Sequence, residues 1–297
     1  MSPPRARIGT VPILVRERTV VEIAALRPAA TVVVLRPATT HPFDVLLVRR
    51  SDAVAFMGGA HVFPGGRVDD GDVATPADAC DGLTSFSRWP DLTPDDDARH
   101  RVAAIREMFE EAGLLLARHE GRMVDGPTAS SLRTSLTAGA PFVAALAAGG
   151  LTIALDAVMP FAHWVTPEIE IRRFDTRFLL ARLPDGQDAR HDAGELSALE
   201  WLGPAEAVAR ARHGQIKLPP PTWSTLRRLA EFDSIDAAWE WAATTTIVPI
   251  QPLFVRDGDR TVIMLPGDPA YPLPEGCEPI ADVRFELLDG AWRPTSA

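Results

Sequence analysis

A chain of 297 residues, 46% of them hydrophobic, can bury one large core or a core with an appendage, which excludes fibrous and disordered classes. Its net charge of −10 argues against broad binding to nucleic acid or an anionic membrane, while leaving room for local positive charge against a small phosphorylated molecule. Cys80 and Cys277 are too few for a disulfide framework and no apolar window is long enough for a signal peptide or a membrane span, so a cytoplasmic location is expected. Lys217 is the single lysine among 30 basic residues, a bias that points to a GC-rich bacterial source.

In chain order, Thr31–Arg36 and Asp44–Arg49 are β-branched or apolar runs joined by a Pro-bearing turn, and predict adjacent strands. A third short strand ends at Phe63. Residues 73–97 hold Pro76, Gly82, Pro90 and Pro94 and predict a mostly irregular insert, with Asp97 as the N-cap of the helix that follows. An Ala-rich pattern predicts a structural helix over Ala129–Ala148. Further strands are expected over Phe161–Val165, Arg173–Arg182 and Leu196–Leu202, then helices over Ala205–Arg212 and Trp223–Phe232. From Thr246 short apolar runs at Ile247–Val255 and Arg260–Leu265, broken by Asp257-Gly258, predict a β-hairpin or small sheet. The sum is an α/β chain with a mixed sheet and helices on its faces.

The helix after the insert carries the chemistry. At 100° per residue Val102, Ile105, Phe109, Ala112 and Leu116 share one stripe, while Glu107, Glu110 and Glu111 cluster opposite them. Like charges at this spacing repel by a few tenths of a kcal/mol per pair, so their grouping calls for a cation; Arg106 supplies part of it at i, i+4 from Glu110. Upstream, Phe63-Pro64-Gly65-Gly66-Arg67 lets the backbone turn tightly and approach a ligand.

Together Gly66 and Arg106-Glu107-Met108-Phe109-Glu110-Glu111-Ala112-Gly113 resemble the Nudix box, with two departures. Asp72 stands where the first Glu is expected, and residues 73–105 replace the usual seven. A Nudix branch that includes the peroxisomal coenzyme A diphosphatases of animals has a long insert at this point, and the resemblance extends to Ala60–Gly66 and Arg173–Phe178. It covers roughly residues 30–235 and implies an α/β/α sandwich, assigned to residues 1–245 with the insert at 73–97, while the apolar runs after Thr246 add a C-terminal β extension over 246–297.

The resemblance further implies Mg²⁺ or Mn²⁺ held by Glu107, Glu110, Glu111 and the carbonyl of Gly65, with Arg106 orienting a catalytic carboxylate. Glu107 and Glu110 then carry the catalysis. A further base from a later loop is expected, best placed at Glu195, with Glu200 a lesser choice. Leu46-Leu47-Val48-Arg49-Arg50-Ser51, Gly59 and Phe63–Gly66 match most of a signature of coenzyme A hydrolases, but Val48 replaces a Thr and Ala55 an Arg. Arg49, Arg50 and Arg67, with Gly66, are the candidates for binding substrate phosphates.

The leading expectation is a metal-dependent diphosphatase for coenzyme A or acyl-coenzyme A. Another nucleoside diphosphate derivative (ADP-ribose, NADH, a dinucleotide) is the alternative, and a metabolite-binding regulator without turnover a third. A homodimer is left open.

Overall fold

The computed structural model describes residues 23–52, 57–82, 87–137, 139–190, 196–275, 278 and 280–295. An eight-stranded mixed sheet forms its centre. Its first strands are β1 (Leu26–Pro37), β2 (Phe43–Arg50), β3 (His61–Val62) and β4 (Gly65–Arg67). Beyond the insert come α1 (Asp70–Val73), β5 (Cys80–Asp81), α2 (Pro94–Ala112), β6 (Ala117–His119), β7 (Arg122–Met123), α3 (Gly126–Thr137), α4 (Phe142–Ala148) and β8 (Thr152–Ala154). β9 (Val158–Val165), β10 (Arg173–Arg182) and β11 (Leu196–Leu202) return to the centre, and α5 (Pro204–Arg212), α6 (Pro220–Leu229) and α7 (Ile235–Thr244) follow. The chain closes with β12 (Pro249–Ile250), β13 (Leu253–Asp257), β14 (Arg260–Met264), β15 (Arg284–Leu288) and β16 (Ala291–Pro294).

The central order is β11-β2-β1-β10-β9-β12, with β3 paired to β2 and β4 to β1. β1 runs parallel to β10 and antiparallel to β2 and β4. Alternation along β1 divides the core. Ala30, Val32 and Val34 pack with Val102, Ile105, Met108 and Phe109 of α2, while Val33 and Leu35 pack with α5, α6 and α7 through residues such as Val208, Leu226 and Ala238. A strand covered on both faces must read as a continuous apolar run, as Thr31–Leu35 does. Helices thus lie on both faces of the sheet, the α/β/α arrangement expected.

Three local expectations are corrected. The N-cap of α2 is Thr93, whose hydroxyl accepts from Asp96 N at 3.2 Å, with Pro94 at the first helical position. Thr followed by Pro outcompetes the acidic run for that place, because the Pro ring pre-sets the helical φ and its missing N–H is one the helix leaves unpaired. Asp97 is buried inside the helix, accepting from Trp89 Nε1 at 3.2 Å and Arg101 Nε at 2.9 Å.

The single helix expected over 129–148 is two, because Pro141 cannot donate in a helix interior and caps α4 instead. The run Ile247–Val255 also divides. Pro249–Ile250 joins the central sheet parallel to β9, and Leu253–Asp257 opens an antiparallel sheet β13-β14-β15-β16. Phe285, Ile263 and Leu265 of that segment share a core with Trp223 and Leu226 of α6. α7, which the sequence reading did not mark, begins at a Ser234 cap whose hydroxyl accepts from Ala237 N at 3.1 Å.

The insert is anchored rather than loose. β5 pairs parallel with β8 in a small sheet with β6 and β7. Trp89 is buried, and Arg88 donates to the Ala242 carbonyl at 2.8 Å in the last turn of α7, where helix carbonyls lack partners.

Candidate active site

The site is the meeting of α2 with β4. Two glycines allow it. A Cβ on Gly65, whose φ is +157°, would stand 2.4 Å from the Ala30 carbonyl oxygen and 2.7 Å from Thr31 Cα, so only glycine lets β4 lie this close to β1. A Cβ on Gly66 would stand 2.3 Å from Glu107 Oε1, so the carboxylate of Glu107 occupies the space a side chain would take. The Gly65 N–H donates to Glu111 Oε2 at 3.0 Å. Two of the three glutamates of α2 are therefore seated directly on the Gly65-Gly66 backbone.

Arg106 locks the third. Its buried guanidinium donates through Nε and Nη2 to the two oxygens of Asp72, both at 2.9 Å, and through Nη2 to the Arg67 carbonyl at 3.0 Å. Nη1 reaches Glu107 Oε1 at 2.8 Å and Glu110 Oε2 at 3.0 Å. The planar fork of arginine suits this bidentate geometry, and a lysine would lose it. Asp72 is itself buried at the third position of α1, in a capping box with Asp69. Its role is thereby plain: it grips Arg106, and α1 brings the shorter acid to the guanidinium.

Burial raises the carboxyl groups of Glu107 and Glu110 above the usual range, against the lowering pull of Arg106, and neighbouring acids add to the rise. Burial would lower Arg106, but Asp72, Glu107 and Glu110 outweigh it and hold the guanidinium charged. With Asp69 at 3.5 Å, four acids surround this one cation and leave an excess of hard oxygen donors, the chemistry that a divalent Mg²⁺-like ion requires.

A family model described as the NUDT19 Nudix domain matches residues 84–229. The human acyl-coenzyme A diphosphatase NUDT19 is 29% identical over 287 residues, covering 82% of this chain and 76% of that protein. The Gallus gallus protein of the same name is 29% identical over 276 residues, covering 77% and 73%. The crystal structure of a NUDIX hydrolase from Alicyclobacillus acidocaldarius is 32% identical, with a TM-score of 0.64, and the match covers 77% of this chain and 100% of that one.

The chain belongs to the Nudix hydrolases. It is an enzyme of the class that uses divalent metal ions, and no helix among the described residues is long and apolar enough to cross a membrane.

The other predicted residues of this Nudix hydrolase are dispersed. Arg49 donates to both oxygens of Asp52, at 2.9 and 2.7 Å, and to Ser197 Oγ at 2.9 Å, so its charge is already answered. Alternation from Leu46, which packs in the core beneath α2, places Arg50 on the α2 face and Arg49 on the other. The Arg67 side chain is exposed beside the site. Glu200 lies away from it, 3.4 Å from His61 and 3.6 Å from Arg210. Glu195 and Ala55 lie outside the described residues.

Of the three Nudix glutamates, Glu107 and Glu110 share the Arg106 Nη1 donor while Glu111 is drawn aside to the Gly65 N–H. Among the described residues the trio of possible ligands whose atoms lie within 4.8 Å of one another is Asp91, His163 and Asp175, which spacing had not singled out. A cation already fills it. The buried Arg177 donates to both oxygens of Asp91 at 2.8 Å, to Asp175 Oδ2 at 3.1 Å and to His163 Nδ1 at 3.1 Å. Because Nδ1 accepts, the ring proton is on Nε2, which donates to Asp175. The cluster ties Asp91 of the insert to β9 and β10 of the sheet.

Sequence reasoning also took residues 129–148 as structural packing alone. Arg133 and Leu136 of α3, Ala140, Pro141, and Phe142 and Val143 of α4 instead form one wall of a cleft of about 720 Å³, whose other wall carries Asp72, Arg106 and Glu110. The signal was the unusual lack of charge in Phe142–Ala148.

Proposed function

We propose that this Nudix hydrolase cleaves the diphosphate linkage of coenzyme A and acyl-coenzyme A with Mg²⁺ or Mn²⁺. The products are adenosine 3′,5′-bisphosphate and 4′-phosphopantetheine or its S-acyl form. The observation that carries the reaction is the seating of Glu107 and Glu111 on Gly65-Gly66 together with the hold of the buried Arg106 on Glu107 and Glu110. The substrate rests on the name of the NUDT19 relatives and on the signature from Leu46 to Gly66.

Glu107, Glu110, Glu111 and the Gly65 carbonyl would hold the metal, which supplies charge neutralisation on the diphosphate and an acidified water. A carboxylate takes the proton as the water oxygen bonds to phosphorus. The bridging P–O bond breaks, and its electron pair leaves with the second phosphate. Glu107 and Glu110 are our candidates for that proton transfer. Glu195 is our candidate for a further base. Arg106 positions Glu107 and Glu110 and is fully engaged by protein groups. Gly66 leaves room for the Glu107 carboxylate, and Arg50 and Arg67 are better placed than Arg49 to bind the diphosphate oxygens. A cytosolic location accords with this chemistry.

The test is turnover by the purified protein with Mg²⁺ or Mn²⁺ against coenzyme A, acyl-coenzyme A, ADP-ribose and NADH. The two coenzyme A substrates are expected to have the highest kcat/KM, and the Glu110→Gln, Glu111→Gln double variant to lose at least about a thousand-fold in kcat. Preference for ADP-ribose would refute the substrate and single out Ala55 as the decisive departure. Undiminished turnover by the double variant would refute the metal site.

A further inference from the structure

We infer that the cleft between α2 and the α3–α4 pair seats the pantetheine arm and acyl chain, with the adenosine 3′,5′-bisphosphate half directed away from it. This rests on the coenzyme A reading above and adds to it a direction for the substrate. The volume, about 720 Å³, falls in the range of small-molecule sites. The cleft is continuous with the metal face, since Arg106 and Glu110 line it.

Its two walls differ in kind. On the outer wall Leu136, Ala140, Pro141, Phe142 and Val143 present apolar surface, with Arg133 of α3 its one charged residue, and Phe142 is fixed to α2 by its ring contact with Phe109 at 6.1 Å. Leu136, Ala140 and Val143 are only half-buried, so apolar surface faces the cleft. The inner wall carries Asp69, Asp70, Asp72 and Glu110 against Arg106, so acids outnumber bases in the cleft even with Arg133 counted.

Coenzyme A is divided at its diphosphate into a polyanionic nucleotide half and a neutral arm. Carboxylates in excess repel the first. They accept hydrogen bonds from the amide and hydroxyl groups of the second, while the outer wall removes an acyl chain from water. The charge of the cleft thus decides which half enters.

The experiment is product inhibition of coenzyme A hydrolysis by S-acyl-4′-phosphopantetheine of increasing chain length and, separately, by adenosine 3′,5′-bisphosphate. For the unaltered enzyme the inhibition constant of the acyl product is expected to fall steadily from acetyl to dodecanoyl. Val143→Asp places a charge on the apolar wall at a helix N-terminus, where an acid is favourable for folding. It is expected to raise the inhibition constant of the dodecanoyl product by about ten-fold or more, and that of adenosine 3′,5′-bisphosphate by no more than about two-fold. Leu136→Gln serves in the same way should the first variant not fold.

A flat chain-length dependence overturns the placement of the arm while leaving the proposed reaction intact. So does an equal or larger effect on adenosine 3′,5′-bisphosphate. Absence of hydrolysis of both coenzyme A and acyl-coenzyme A by the unaltered enzyme overturns the proposed function, and the placement with it.

Discussion

Gly66→Ala isolates the position of one carboxylate. The added Cβ would lie 2.3 Å from Glu107 Oε1, whereas ordinary van der Waals contact begins at 3.4 Å, so the carboxylate must retreat. Gly66 is not among the residues with positive φ, and the backbone accepts alanine there. What moves is the end of a flexible side chain, which loses its 2.8 Å bond from Arg106 as it swings. A misplacement of about 1 Å in a reacting geometry costs on the order of a hundred-fold, or about 2.7 kcal/mol of transition-state stabilisation. Stability should change by less than about 1 kcal/mol, since no backbone contact is broken.

Gly65→Ala is the contrasting variant: its Cβ strikes the backbone of Ala30 and Thr31, so β4 must part from β1 and the fold itself weakens. The assay is kcat/KM for coenzyme A with saturating Mg²⁺, beside urea denaturation of both variants. Gly66→Ala with native stability and kcat/KM within about three-fold of the parent would refute the claim that the seat of Glu107 on Gly66 matters for turnover.

Asp72→Ala leaves two donors of the buried Arg106 without their bidentate partner while Glu107 and Glu110 still answer its charge, and should cost about 1–3 kcal/mol in urea denaturation. Burial would raise the Asp91 carboxyl, but Arg177 overcomes it and holds the group below the usual range; His163 and Arg177 do the same for Asp175. Depressed acids stabilise the fold above their unfolded pKa, so stability should hold at neutral pH and fall below about pH 4, with a shallower acid branch in Arg177→Met on acid titration followed by circular dichroism. Burial, aided by Asp81 and Asp78, pushes the Cys80 thiol up to about 11, so in a Cys277→Ser background its alkylation by iodoacetamide at pH 8 should be about a hundred-fold slower than that of a free thiol by mass spectrometry.

Much of the fold was legible because its signals are local. The buried runs of β1 and β2, the stripe of α2 and the Asp257-Gly258 turn each follow from a short period in the chain. Errors arose where two local signals competed, as Thr93-Pro94 did with Asp97, or where a single proline divided one pattern, as at Pro141. The Arg177 cluster was illegible for another reason. Asp91, His163 and Asp175 are far apart in the chain and are brought together by the β9–β10 register and the return of the insert.

By itself the sequence determined the reaction class, because three carboxylates and their arginine lie on one face of one helix, and helical geometry alone places them there. It also determined that glycines must stand opposite. Only the tertiary structure decided what Asp72 does, since its reach to Arg106, 34 positions along the chain, depends on α1 folding back beside α2. The same holds for the cleft. Its charged wall and its apolar wall belong to segments that become neighbours only when Phe142 packs on Phe109, and no period in the chain encodes that contact.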